Sequence, residues 1–408
     1  MTTPPAAPRG ASMSLSFLIG FTIVLFVYGW LSVNMYLPIL PQLESVFDAS
    51  PQAVKLTVTI FLAGFALAQL VWGPLSDRFG RRPVLLIGLA ISVLGAALSS
   101  VAPNVELFMA ARFAEALGLA VGPVLGRSVL TDMLDRSRIA ITMAYVVMVV
   151  AIVPALAPIL GGYLDLWLSW RAIFLFLALY GFGLWLLTQL QVPETLKLRT
   201  HSLDVRSIVR GYAAMLRDSR YRSYLLVYGI AFGSLLGYYA TTPYLFTVEL
   251  GYSSYEYGYL LLFNVAFYVL GVEVSRFVVP RIGTDRPVGF AMLAYLLATV
   301  MFVALELFAE MDTFSILVPM SVFIFGAGLV SPAANAGAMT VFRDHAGAAT
   351  AFIGFAIAIG GAVFSGALAH LHITRLWELG AYVAIITAIS SAIYLSALRK
   401  PAPDQLRQ

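Results

Sequence analysis

Arg112 and Glu115 are two ionisable residues inside an otherwise apolar stretch, Phe108–Leu125. Three residues apart, they share one face of a helix. A charge held in hydrocarbon costs at least about 2.5–3.5 kcal/mol, so residues of this kind are paired, functional or both. Two chemistries are open to the pair. It could break and re-form while loading and releasing a proton, or it could stand as a permanent ion pair locking its helix to a neighbour. Glu273 and Arg276 repeat the spacing nearer a helix end, where long side chains reach for water. Arg127 lies about one turn from Asp132 and reads as a helix-end anchor. Other site chemistry is sparse. There are no cysteines, and the four histidines (His201, His345, His370, His372) fall in loops or at helix ends. His370 and His372 have no evident third ligand, so no metal and no cofactor are expected. No nucleophile–base set is visible, which argues against an enzyme.

The elements that carry the pair follow from composition. Of 408 residues, 60% are hydrophobic and 11% charged, against about 45–50% and 25% in soluble domains. Mean hydropathy is +0.88. A soluble enzyme, a disordered chain and a nucleic-acid-binding domain are excluded. Apolar runs occur at 15–40, 53–75, 83–102, 106–131, 139–164, 169–191, 223–247, 256–279, 288–309, 314–340, 346–368 and 377–398. Each is long enough to cross a bilayer as a helix, the form that satisfies its own backbone in lipid. The first run is too long for a cleaved leader and reads as a retained span.

Charge sets the orientation. With both termini placed in the cytoplasm, the 25 Lys and Arg fall at inner loops and helix ends, except Lys55, Arg112, Arg171 and Arg375. The outer loops carry acids instead, among them Glu44, Asp48, Glu106, Asp165, Glu306 and Glu378. The longest polar stretch, 192–222, has an amphipathic segment from Leu203 to Leu216 and reads as a cytoplasmic linker. It divides an N-terminal six-helix bundle, 1–191, from a C-terminal one, 223–408. Thr131–Asp135 (TDMLD) and Thr340–Asp344 (TVFRD) hint at a repeat of the halves.

Two segments have the look of motifs. After the second run the chain reads Gly73-Pro-Leu-Ser-Asp77-Arg78-Phe-Gly80-Arg81-Arg82. Gly73 admits a neighbouring helix, Asp77 can pair with Arg81 one turn on, Gly80 permits a reversal, and Arg81 and Arg82 suit the anionic inner leaflet. The second half has a degenerate copy, Arg281–Pro287, without an acid at the position of Asp77. In the fifth run, Pro154, Pro158, Gly161 and Gly162 combine helix weakening with close packing.

The first motif resembles the signature loop of the major facilitator superfamily, and the second its antiporter motif. Asn34–Pro38, Gly64–Leu70, Leu168–Phe174 and Pro193–Thr195 look like the Bcr/CflA branch of the drug:proton antiporters, and Ser253–Gly258 is similar to MdfA-type multidrug exporters. The resemblance covers essentially the whole chain. It implies an all-α fold of 12 spans in two pseudo-symmetric bundles. It also implies a monomer in a bacterial inner membrane that exports small amphipathic molecules, chloramphenicol- or bicyclomycin-like, in exchange for protons. A dedicated natural-product or siderophore exporter, and a facilitator or importer coupled differently, stay open. The expected partners are the substrate, protons and lipid, with no nucleic acid. Carried over residue by residue, the substrate positions are Trp30, Asn34, Leu119, Leu235, Leu236 and Tyr239, with Tyr238, Phe263 and Asn264 adjoining.

This chain departs from the relatives at Asn34, where they usually have an acid, and at Phe26, where MdfA-like members have a further one. Glu115 stands where the family more often has Gln, and Arg112 matches its span-four arginine. The titratable group is therefore expected to have moved from the first span to Glu115.

Overall fold

The computed structural model describes residues 13–196, 205–308, 310–341, 346–371, 373 and 375–398. Arg9, Lys197, Arg199, His201, Arg343, Asp344, His345, His372, Arg399, Lys400 and Arg407 lie outside the described residues.

Among the described residues, twelve helices are long and apolar enough to span a membrane: Leu15–Phe47, Pro51–Phe79, Arg81–Ser100, Val105–Met133, Ile141–Trp167, Trp170–Gln191, Ser219–Glu249, Ser254–Ile282, Asp285–Phe308, Thr313–Val341, Ala351–Ala369 and Leu376–Ser396. They are called the first to twelfth spans below. Several extend past the apolar runs because capping groups in the polar flanks start them earlier. The Ser50 hydroxyl accepts from Ala53 N and Pro51 opens the helix. Asp218 accepts from Tyr221 N, so the seventh span begins at Ser219 rather than 223. Ser253 and Glu256 cap the eighth reciprocally.

Spans one to six pack among themselves, as do seven to twelve. The halves meet through the second and eleventh spans and through the fifth and eighth. An amphipathic helix, Val205–Arg217, crosses the junction: Tyr212 packs on Phe352 of the C-terminal half, and its hydroxyl donates to Leu70 O of the N-terminal half at 3.4 Å.

Proline interrupts two spans at the end opposite the signature loop. The first span passes through a tight turn, Leu37–Ile39, at Pro38, and the seventh widens into a π-helical turn, Tyr244–Glu249, after Pro243. The fifth span breaks at 151–152, just before Pro154.

The third and fourth spans approach until little but glycine fits. A Cβ on Gly95 would strike the backbone of Glu115, and one on Gly118 would strike Ser92 N and Gly88 O. This contact places the helix that carries Arg112 and Glu115.

Candidate functional site

Arg112 and Glu115 are both fully buried, and Arg112 NH1 donates to Glu115 Oε2 at 2.6 Å. Ser32 of the first span completes the group. Its hydroxyl donates to Glu115 Oε1 and accepts from Arg112 NH1 at 3.1 Å, while Ser32 O accepts from Arg112 NH2 at 2.9 Å. The guanidinium lies 4.4 Å from the Tyr36 ring centre, 4.2 Å from Phe61 and 5.4 Å from Phe174. Three rings and two oxygen-bearing groups replace the water it gave up. Only Nε has no acceptor among the described residues. The group faces neither lipid nor an aqueous opening. It is enclosed by the first, second, third, fourth and sixth spans.

Asn34 is buried and spends its amide on its own helix, donating to Trp30 O at 2.8 Å. Leu119, Leu235, Leu236 and Tyr239 are buried as well. Asn264 is also inside, donating to Tyr238 Oη at 3.1 Å and accepting from Ser321 Oγ at 3.0 Å. Phe263 points outward, 44% exposed.

Of the six substrate positions named from sequence, Trp30 alone is partly open, and it bridges the halves. Its ring meets Phe232 of the seventh span edge-on at 5.6 Å. Phe232 in turn meets Tyr228 at 6.4 Å and Tyr268 of the eighth span at 6.0 Å. Tyr268 Oη lies 3.0 Å from Ser331 Oγ of the tenth span. Trp30, Tyr228, Phe232 and Tyr268 are all part-exposed. They form an aromatic cluster from both halves that sequence reasoning missed, although Tyr228, Phe232, Leu235 and Tyr239 share one helical face.

The signature loop is a charge cluster. Gly80 takes φ +105° between the second and third spans, a backbone state that favours glycine. Arg81 pairs with Asp77 at 2.5 Å and with Asp132 of the fourth span at 3.0 Å, and NH1 donates to Ser76 Oγ at 2.6 Å. Glu194 Oε1 accepts from Arg81 N at 2.9 Å, and Thr195 Oγ1 donates to Asp132 Oδ2 at 3.2 Å. The Pro193–Thr195 segment thus closes over the loop. Arg82 donates to Gln189 O at 2.7 Å, Arg78 lies 5.1 Å from the Phe79 ring centre, and Gly73 faces Val124. Asp132 is engaged by Arg81, and no ion pair or hydrogen bond joins it to Arg127.

In the fifth span, Gly161 abuts the Met35 carbonyl of the same half, and Gly162 abuts the Tyr255 and Ser254 backbone of the other. Further contacts between halves gather at this end. Gln52 Nε2 lies 2.5 Å from His370 Nδ1, Lys55 Nζ donates to Leu371 O at 3.2 Å and covers the Tyr244 ring, and Ser254 Oγ donates to Pro38 O at 3.3 Å. Glu273 and Arg276 meet at 3.4 Å with both side chains exposed. Among the described residues, no group of three or more His, Cys, Asp or Glu is placed to hold a metal.

The Major Facilitator Superfamily profile matches residues 17–365. The chain belongs to that superfamily. Multidrug resistance protein D of Escherichia coli strain K12 is 28% identical over 358 residues, covering 88% of this chain and 90% of that protein. A bicyclomycin resistance protein homolog of Haemophilus influenzae is 26% identical, covering 86% and 90%. A chloramphenicol resistance protein of Pseudomonas aeruginosa is 28% identical, covering 90% and 86%. The superfamily fold accounts for the 12 spans in two six-helix bundles. The chain is a multi-pass bacterial inner-membrane protein and a secondary transporter of small molecules, related to multidrug-resistance transporters.

Proposed function

We propose that this transporter exports small amphipathic molecules in exchange for protons by alternating access, as in the Bcr/CflA branch. The halves 1–191 and 223–408 rock about the site, joined by a cytoplasmic linker at 192–222, with both termini in the cytoplasm. The observation that carries the reading is the fully buried Arg112–Glu115–Ser32 group. Among the described residues it holds the ion pair with no exposed surface on either side chain, and it ties the fourth span to the first.

Glu115 is the proton carrier. Protonation removes its charge, weakens the hold of Arg112 and frees Ser32, so the first and fourth spans can move apart. Deprotonation draws them together again. The cycle matches proton movement to helix movement because the same atoms serve both. The substrate sits against the aromatic cluster of Trp30, Phe232, Tyr228 and Tyr268, backed by Leu235, Leu236, Tyr239, Leu119 and Asn34. Apolar walls with few polar groups suit drug-sized molecules. The names of the relatives point to chloramphenicol- and bicyclomycin-like compounds as first candidates. The signature loop (Gly73, Asp77, Arg78, Gly80, Arg81, Arg82) and the fifth-span motif (Pro154, Pro158, Gly161, Gly162) stabilise alternate ends of the cycle.

Everted vesicles carrying the chain should accumulate chloramphenicol under an imposed pH gradient, and Glu115→Gln should abolish the gradient-driven part. Gradient-driven accumulation that persists in Glu115→Gln rejects Glu115 as the carrier. Accumulation indifferent to the gradient in the native chain rejects proton exchange altogether.

A further inference from the structure

Arg127 is a second arginine of the fourth span, and its surroundings are the reverse of those of Arg112. Among the described residues it has no ion pair within 4.0 Å and no hydrogen bond, and it is partly exposed. Its direction follows from its neighbours. Gly122 and Gly126 face the first span, against Leu25 O and the Phe26 ring respectively. Val124 faces Gly73 of the second span, and Val121 faces Gly88 of the third. At about 100° per residue, the sector turned away from the third span carries Pro123 and Arg127, and then Thr131, which is exposed. Pro123, Val124, Arg127 and Ser128 keep part of their surface open, while Val121, Gly122, Leu125, Gly126, Val129 and Leu130 are buried. Gly126, the residue before Arg127, packs on the Phe26 ring, and Phe26 lies one turn toward the signature loop from Trp30, so Arg127 sits about one turn nearer that loop than the aromatic cluster.

A cation that gives up part of its hydration in a span without a counter-ion is costly, and such residues mark ligand paths. A guanidinium offers a planar fork that fits a carboxylate or another oxyanion. We infer that Arg127 receives the anionic group of an amphipathic ligand whose rings lie against Trp30 and Phe232. The ligand class is a carboxylate- or sulfonate-bearing aromatic molecule, distinct from neutral compounds that need only the aromatic wall. This deepens the substrate reading above and is independent of how Glu115 moves protons. Lipid phosphate offers the same chemistry, so the test separates the two sources.

The chain has no cysteine, so Thr131→Cys supplies a single thiol one turn from Arg127. The full-length variant is reconstituted in phosphatidylcholine nanodiscs with no gradient. Modification rates are compared for the anionic sulfonatoethyl and the cationic trimethylammonioethyl methanethiosulfonates. Two unit charges about 8 Å apart in water-like surroundings change each rate by roughly twofold in opposite directions, so the anionic reagent should be favoured by roughly fivefold relative to its preference in Thr131→Cys/Arg127→Gln. In the second arm, 1-naphthylacetate should protect the thiol at lower concentration than its neutral amide, and Arg127→Gln should erase the difference. Equal reagent preference with and without Arg127, or equal protection by acid and amide, overturns the inference. A preference that disappears when phosphatidylglycerol is added assigns the charge to lipid headgroups and overturns it too. Because no gradient or transport is used, failure here is distinguishable from failure of proton exchange.

Discussion

The two bundles bury polar groups in different currencies. In the N-terminal half the enclosed group is ionic: Arg112, Glu115 and Ser32. In the C-terminal half it is neutral: Asn264 donates to Tyr238 Oη and accepts from Ser321 Oγ, and Thr242 Oγ1 lies 2.7 Å from Tyr257 Oη. Both networks tie spans of their own half together, and both are shut off from solvent. Only the first contains a carboxylate. On the proposed cycle the ion pair has two settings, whereas the amide network has one and serves as a fixed frame. The contrast recurs at the signature-loop ends. Arg81 is held by two acids from separate spans. Arg220 is held by Asp285, which also accepts from Tyr224.

The difference can be broken in graded steps. Arg112→Leu should have the largest effect, because it leaves Glu115 buried with Ser32 as its remaining partner. Removing one partner of a buried pair costs about 3–5 kcal/mol, read as a fall in Tm of the purified protein. Arg112→Leu/Glu115→Leu should recover much of that loss while abolishing gradient-driven transport. A double variant no more stable than Arg112→Leu would count against burial of an unpaired charge as the cause. Glu115→Gln should be milder for folding than Arg112→Leu, since the guanidinium keeps Ser32 O and three ring faces.

Asn264→Leu comes next, at about 1–3 kcal/mol for stranding a buried hydroxyl. It should lower Tm without shifting the pH-gradient dependence of transport, and a changed dependence would dissolve the distinction between switch and frame. Asp285→Asn should be smallest, within about 1 kcal/mol, because its pair with Arg220 is part-exposed. A loss as large as that of Arg112→Leu would show that the C-terminal loop holds more than its geometry suggests.

Much of this was legible before any coordinates. Length and polarity gave the 12 spans, because each crossing must supply its own backbone hydrogen bonds. Helical spacing gave Arg112 with Glu115 and Asp77 with Arg81, because three and four residues are one turn. Contacts across the fold were not legible. Ser32 is 83 residues from Glu115, and Glu194 is 113 from Arg81. Nor could periodicity say which aromatic face stays open. Leu235 and Tyr239 are buried while Tyr228 and Phe232, on the same helical stripe one to two turns away, are partly exposed. The partner of the second half's acid was not legible either. The degenerate loop lacks a counterpart to Asp77, but Asp285 reaches outside the loop to Arg220.

The enclosure of Arg112 and Glu115 has a bearing on idle leakage. With no accessible surface on either side chain, neither aqueous compartment has a continuous wire of water to the carboxylate while the bundle is closed. A resting molecule is thus insulated. If Glu115 carries protons as proposed, current slips through only when the first and fourth helices part, and the tightness of the glycine seam behind Glu115 sets how often an unloaded transporter short-circuits the membrane.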